Sequence, residues 1–456
     1  MTLKEYIESL KGRRVTVIGA GISNRPLIRL LCQAGIVPTV CDRAETLHPE
    51  LEGLSLRTSL GAGYLDHLDA DVIFRTPGLH PDAEPLRAAR QAGALVTSEM
   101  EVFFKLCPCR TIAVTGSDGK TTTTSLIAEM LRAAGRTVYL GGNIGTPLLT
   151  KTPEMKPDDL AVLELSSFQL HSMSCSPDVA VITNLAPNHL DVHPSYQDYV
   201  DAKKQIFLHQ RPDAVLVLNA DNADTAACAA EARCPVRWFS RKKAVENGIF
   251  LAPDGNLLRV SGDGTHTMMP ASEIRLPGAH NIENVMAAMA AAEDFVPDEA
   301  LCRTARDFAG VAHRLETIRV LHGVSFINDS IASSPSRTEA GLRCFDKKLI
   351  LIAGGKDKGV PFDDLGPLIC EHVKSLYLTG PTAEKIRAVV EKAPSYRPGM
   401  PAIRCMEDFD ETVCAAAAEA KEGDIVLLSP ASTSFDRFRN FEERGNTFRK
   451  IVEELK

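Results

Sequence analysis

The chain lacks a basic surplus: 51 lysines and arginines stand against 59 aspartates and glutamates, a formal net charge of −8. That argues against a protein that coats itself on nucleic acid, and any anionic ligand must be met by local charge. Long apolar runs are missing too, since nothing approaches the roughly 18 apolar residues that cross a bilayer. The opening MTLKEYIESLKGRR carries charges where a secretion signal needs an apolar stretch, so a cytoplasmic chain without membrane contact is expected. No C-x-x-C pair occurs among the 12 cysteines. The one close pair, Cys107 and Cys109, has no second half for a zinc site, and buried reduced thiols are the expectation. Charge runs and low-complexity tracts are also absent, which leaves domain limits to be read from changes of pattern.

What the sequence does have is a recurring unit. Short β-branched runs end in glycine or small polar residues and most are followed by helical spacing: RVTVIGAG, DVIFRTPG, TIAVTGSDG, LAVLELSS, VAVITN, AVLVLNAD, LILIAGG, SLYLTG and DIVLLSPAS. Strands alternating with helices predict parallel sheets, whose ligands sit at strand C-terminal ends. At 456 residues the chain exceeds one core, and three α/β domains are predicted: 1–98, 99–310 and 311–456. The first and last read as Rossmann-like and the central one as a P-loop ATPase-type domain with a parallel sheet. Residues 236–277, richer in glycine and polar residues, read as short antiparallel strands decorating the central domain.

Three loops carry chemistry. In VIGAGISN, Gly19 and Gly21 follow a strand and precede a helix, while Asn24 stands where a dinucleotide fingerprint has its third glycine; a tight turn, a nucleotide-diphosphate site and a dinucleotide site all remain open. TGSDGKTTTT is stronger. Gly116 and Gly119 allow backbone amides to turn around phosphates, Lys120 adds a charge, and Thr121 offers a hydroxyl to Mg²⁺ at a helix start, so ATP is the expected ligand. Downstream, Glu164 ends a neighbouring strand, where a second Mg²⁺ ligand belongs. His189, Asp191 and His193 alternate in one extended loop, which makes joint zinc ligation difficult and favours His189 alone near Mg²⁺. Lys203 and Lys204 fall on a helix.

Taken in order, TGSDGKTT, GGNIG, LELSSFQL, NHLDVHPSYQDYVDAKKQIF, PGAHNIENVMAAMA, HRLE, NDSIASSPSRT, GGKDKG and SPASTSFDRFRNFEERG resemble the Mur ligase family, above all its D-glutamate-adding branch. The resemblance runs from Gly19 to Gly445 and implies that the three domains bind a UDP-sugar, ATP and an amino acid in turn. It implies ATP-dependent joining of D-glutamate to UDP-N-acetylmuramoyl-L-alanine through an acyl phosphate, in peptidoglycan precursor synthesis, by a monomer using two Mg²⁺ ions. The implied catalytic residues are Lys120, Lys203 and His189, and the implied metal ligands Thr121, Glu164, His189 and a carbamylated Lys203, with Lys204 as the alternative register. ATP contacts are implied for Gly116, Ser117, Asp118, Gly119, Lys120, Thr121 and Thr122. Asn281, Asn284, Arg314 and Asp329 complete the nucleotide set. Ile22, Ser23, Asp42, Arg43, Thr76 and Asn143 correspond to UDP-sugar contacts. Lys358, Ser434 and Phe441 correspond to D-glutamate contacts, with Ser434 and Phe441 on one helical face if one helix holds both.

One departure stands out: NDSIASS has Ile331 and Ser333 where the family's familiar form has a lysine and a threonine. Ser333 still donates a hydroxyl hydrogen bond, whereas Ile331 supplies no cation, and Arg337 and Arg75 are the candidates to replace it. The rival readings are another amino-acid-adding or folylpolyglutamate-type ligase and a nucleotide-binding protein that has lost catalysis. An Asp-Asn-Pro-Arg-like motif, expected of a diamino-acid-adding ligase, is absent.

Overall fold

The computed structural model describes residues 1–456 apart from 189–191, 277 and 358. It is a mixed α/β chain in two compact units, 1–308 and 309–456.

The first unit holds two sheets. One has five parallel strands, in the order Arg57–Leu60, Thr39–Asp42, Val15–Ile18, Val72–Phe74, Leu95–Thr97. This order is that of a nucleotide-binding half-fold, with the crevice at the strand C-terminal ends. Its central strands read as unbroken apolar runs because both faces are covered: Val17, Ile18, Val72, Ile73 and Phe74 are all buried. Helix Arg25–Gln33, started by a proline in its first turn, buries Leu27, Ile28 and Leu31.

The other sheet has nine strands. From Val138–Gly142 through Leu160–Glu164, Arg110–Thr115, Val179–Ile182, Val215–Asn219 and Val236–Ser240 to Gly248–Leu251 every pairing is parallel. Only Asn256–Ser261 and Gly264–Pro270 continue it antiparallel. The expected decoration over 236–277 is thus half an extension of the parallel sheet. Gly248 shows why composition misled: it marks a close strand approach, since a Cβ there would collide with the Trp238 backbone. Helices Lys120–Ala133 and Ala279–Ala292 share one core beneath this sheet, with Leu126, Ile127 and Met130 against Val285, Met286 and Met289.

The second unit is one six-stranded sheet in the order Glu316–Leu321, Val324–Asn328, Ile425–Leu428, Leu349–Ala353, Val373–Leu378, Ala402–Cys405. The first pair is antiparallel and the others parallel. The strand Ile425–Leu428 inserts between two earlier ones, so the loop from Ser429 onward emerges between Asp329–Ser333 and Gly354–Lys356. All 12 cysteines are free; Cys344, Cys405 and Cys414 are exposed, so burial holds for only part of the set. Among the described residues no helix is long and apolar enough to cross a membrane.

Candidate active site

The loop Gly116–Gly119 leaves the buried strand Arg110–Thr115 and runs into helix Lys120–Ala133. Its two glycines are fixed by space and by backbone angle. Gly116 has φ 148° and a Cβ there would strike Thr183 Oγ1; Gly119 has φ 75° and a Cβ would strike Asn284 Oδ1. Asn284 in turn accepts from Thr123 Oγ1 at 3.3 Å and donates to Asn281 Oδ1 at 3.0 Å, so helix Ala279–Ala292 brings both asparagines to the loop. The Ser117 and Asp118 amides are held by Asn184 Oδ1 at 3.1 and 2.8 Å. Thr122 stands in the first turn of the helix and is half-buried.

Lys120 Nζ donates to the Gly116 and Ser117 carbonyls, each at 2.8 Å. Lys203, 1% exposed on helix Tyr196–Leu208, donates to the same Gly116 carbonyl at 2.8 Å and to Thr115 Oγ1 at 3.2 Å. Burial first, and the Lys120 charge second, hold the Lys203 amine well below the usual lysine value. Tyr199 lies under that amine, with Nζ 4.7 Å from its ring centroid, and its hydroxyl meets Ser117 Oγ at 3.0 Å. Lys204 faces away and pairs with Glu231 at 2.7 Å. The neighbouring strand end supplies Glu164, 1% exposed. Thr121 Oγ1 donates to its Oε2 and Asn143 Nδ2 to its Oε1, both at 2.6 Å. A hydroxyl and a carboxylate at this spacing are hard oxygen donors of the kind Mg²⁺ takes, so Thr121 and Glu164 fit that ion. His189, Asp191 and Lys358 lie outside the described residues. His193 is buried, with Nε2 2.9 Å from Ser167 Oγ and Nδ1 2.6 Å from Asp198 Oδ2.

At the first sheet, Asp42 accepts from the Ala20 amide at 2.7 Å and the Ala44 amide at 2.9 Å, closing the turn that presents Ile22, Ser23 and Arg43. Ile22 is 69% exposed beside that turn, an apolar surface at strand ends. Gly19, at φ 86°, leaves room for Thr76 from the adjacent strand end. Asn24 donates to the Ile18 and Gly19 carbonyls at 3.0 Å, bracing the turn from the place of a third glycine.

In the second unit Asp329 is buried, accepts from Ser429 Oγ at 2.8 Å and from the Leu315 amide beside Arg314 at 3.3 Å, and is pushed up to about 7 by burial. Ser434 is 2% exposed and lies in the loop before helix Phe441–Glu454, so it does not share a helical face with Phe441. Asn440 caps that helix, which begins only at Phe441. The loops are nevertheless joined. Lys356 and Thr433 exchange backbone hydrogen bonds at 2.9 and 3.1 Å, and Ser330 Oγ donates to the Phe441 carbonyl at 2.8 Å. Arg444, buried, ties Ser330 to Ser432 through bonds of 2.9 to 3.1 Å. Ser333 Oγ donates to the Ile331 carbonyl at 3.2 Å, and Arg337 Nη1 donates to the same oxygen at 3.2 Å. Arg75 is committed elsewhere: it is 1% exposed, bonds Ser172 Oγ at 2.8 Å and the Phe168 carbonyl at 2.9 Å, and is pushed down to about 10 by burial. Sequence reasoning did not single out Asn184, Tyr199 or Arg444. The polar residue that ends VITN was the available signal for Asn184.

Residues 114–292 match the Mur ligase middle domain and residues 313–432 the Mur ligase glutamate ligase domain. The chain belongs to the Mur ligase family. It is 49% identical to the UDP-N-acetylmuramoylalanine--D-glutamate ligase of Acetivibrio thermocellus, over 99% of both chains. The enzyme of that description from Ruminiclostridium cellulolyticum is 48% identical, over 100% of this chain and 99% of its own. Among solved structures it is similar in fold to MurF from Acinetobacter baumannii, at TM-score 0.56 and 16% identity, over 96% of this chain and 90% of that one. UDP-N-acetylmuramate-alanine ligase MurC from Thermotoga maritima is similar at TM-score 0.55 and 18% identity, over 97% and 100%.

Proposed function

We propose that this Mur ligase joins D-glutamate to UDP-N-acetylmuramoyl-L-alanine with ATP, in the cytoplasmic synthesis of peptidoglycan precursor. The observation that carries the chemistry is the set around one loop: Lys120 and Lys203 on the Gly116 carbonyl, with Thr121 and Asn143 on Glu164. The choice of substrates is supported by full-length likeness to D-glutamate ligases.

A carboxylate is a poor electrophile, and phosphorylating the alanine carboxylate supplies a leaving group that the glutamate amine then displaces. Lys120 offsets charge on the transferred phosphoryl group, which the start of helix Lys120–Ala133 also favours. Thr121 and Glu164, with His189, would hold Mg²⁺ ions, which supply further charge neutralisation when bound. Lys203 is suited to carbamylation: the neutral form of its amine, which burial favours, adds to CO₂ and releases a proton, turning a buried base into an anion. Asn281, Asn284, Arg314 and Asp329 are assigned to the nucleotide. Ile22, Ser23, Asp42, Arg43, Thr76 and Asn143 are assigned to the UDP-sugar, and Lys358, Ser434 and Phe441 to D-glutamate, with Arg337 providing the cation that Ile331 lacks. We assign the three roles to residues 1–98, 99–310 and 311–456 of a monomer.

Phosphate release tests this reading. With ATP, Mg²⁺ and UDP-N-acetylmuramoyl-L-alanine, release should depend on D-glutamate and not on L-glutamate, L-lysine or diaminopimelate; equal release with another amino acid, or with a folate acceptor, contradicts it.

A further inference from the structure

Away from the residues assigned above, three side chains converge from separate elements of the first unit. His80 stands in the loop that follows strand Val72–Phe74, His171 closes the short helix Ser167–Leu170, and Asp198 lies in the first turn of helix Tyr196–Leu208. Their ligating atoms all fall within 4.8 Å of one another. His171 Nε2 is 3.1 Å from Asp198 Oδ1, and the His80 and His171 rings meet edge-on with centroids 4.5 Å apart. His80 Nε2 is buried and, among the described residues, has no hydrogen-bond partner. A buried imidazole nitrogen left unsatisfied costs free energy unless something meets it.

We propose that His80, His171 and Asp198 form a binding site for a zinc-class divalent cation, separate from the Mg²⁺ ligands of the phosphate loop. Two imidazoles with a single carboxylate suit zinc, cobalt or nickel better than Mg²⁺, which takes mainly oxygen ligands. The carboxylate is already oriented: His193 Nδ1 binds its other oxygen at 2.6 Å, and Ser167 Oγ holds the far nitrogen of His193 at 2.9 Å. Such an outer partner fixes the orientation of the ligand. His80 Nδ1 accepts from the Asp82 amide at 3.1 Å, and ligation through Nε2 gives up that single hydrogen bond as the ring proton moves to Nδ1. The bound ion would fasten the loop that follows Thr76 to the two helices that carry His171 and Asp198, so it acts as a staple beside the proposed UDP-sugar site.

The test is titration of chelator-stripped full-length protein with Zn²⁺ by calorimetry and with Co²⁺ by visible absorption, with Mg²⁺ in excess to fill oxygen sites. One equivalent should bind, Co²⁺ should give the intense bands of a low-coordinate nitrogen-containing site, and His80→Ala and His171→Ala should each weaken binding at least about tenfold. His80→Gln serves as a second variant should the alanine form fail to fold. Glu164→Gln should leave the titration unchanged. No stoichiometric binding, or binding indifferent to the His80 and His171 substitutions, overturns the proposal.

Discussion

Lys120 and Lys203 share one acceptor, each donating to the Gly116 carbonyl at 2.8 Å. Two amines on one oxygen, one of them buried, cannot both carry a full charge cheaply. Lys120 opens helix Lys120–Ala133, while Lys203 is 1% exposed, and its burial together with the Lys120 charge holds its amine well below the usual lysine value. In the proposed function that placement supports phosphate binding by Lys120 and modification of Lys203.

Replacing Lys120 by alanine should lower turnover about a hundredfold or more while leaving the fold intact, because one preorganised charge at such a centre commonly contributes about 3–4 kcal/mol. Steady-state turnover and circular dichroism of the purified variant check both halves.

Lys203→Ala should be nearly inactive and partly restored by a small carboxylic acid that stands in for the carbamate. Lys204→Ala should retain near-normal turnover, since Lys204 pairs with Glu231 at 2.7 Å on the far side of the helix. Mass spectrometry of the native protein should find a carbon-dioxide adduct at Lys203, and an adduct at Lys204 would reverse the assignment.

Much of this site is local and therefore legible. Glycines needing positive φ, followed by lysine, threonine and helical spacing, report a phosphate loop because backbone angle and spacing are encoded in neighbouring residues. Asn184 and Tyr199 were not legible, because their role exists only once strand Val179–Ile182 and helix Tyr196–Leu208 lie against that loop. The helix containing Phe441 shows the intermediate case. Asn440, whose side chain accepts from the Glu443 amide at 2.8 Å, is a local start signal that separates Ser434 from the helix. The strands at 236–251 joined the parallel sheet because Phe239 and Ile249 are buried, which composition alone does not reveal.

Arg337→Ala should raise the Michaelis constant for D-glutamate about ten- to 150-fold and leave that for ATP nearly unchanged, as loss of one charge-assisted hydrogen bond of roughly 1.5–3 kcal/mol implies. Arg75→Ala should instead lower the melting temperature, since Arg75 bonds Ser172 and the Phe168 carbonyl within the first unit. Kinetics and thermal melts of the two variants separate the cases.

Glu99 gives a pH test outside the site. It is buried, accepts from the Leu149 amide at 3.0 Å, and burial pushes its carboxyl up to about 7. A raised carboxyl means the fold holds the proton more tightly than the unfolded chain, so this contribution is present below the unfolded value and lost as pH rises through about 7. Glu99→Gln keeps the acceptor and cannot ionise. Its melting temperature should match wild type near pH 5 and exceed it by several degrees near pH 8, at roughly 2–4 °C per kcal/mol.

The most direct test of the central claim follows oxygen. UDP-N-acetylmuramoyl-L-alanine carrying heavy oxygen in its alanine carboxylate is incubated with the chain, ATP, Mg²⁺ and D-glutamate, and the released phosphate is weighed by mass spectrometry. Ligation through an acyl phosphate transfers one labelled oxygen to phosphate for each amide formed; phosphate free of label would contradict the account.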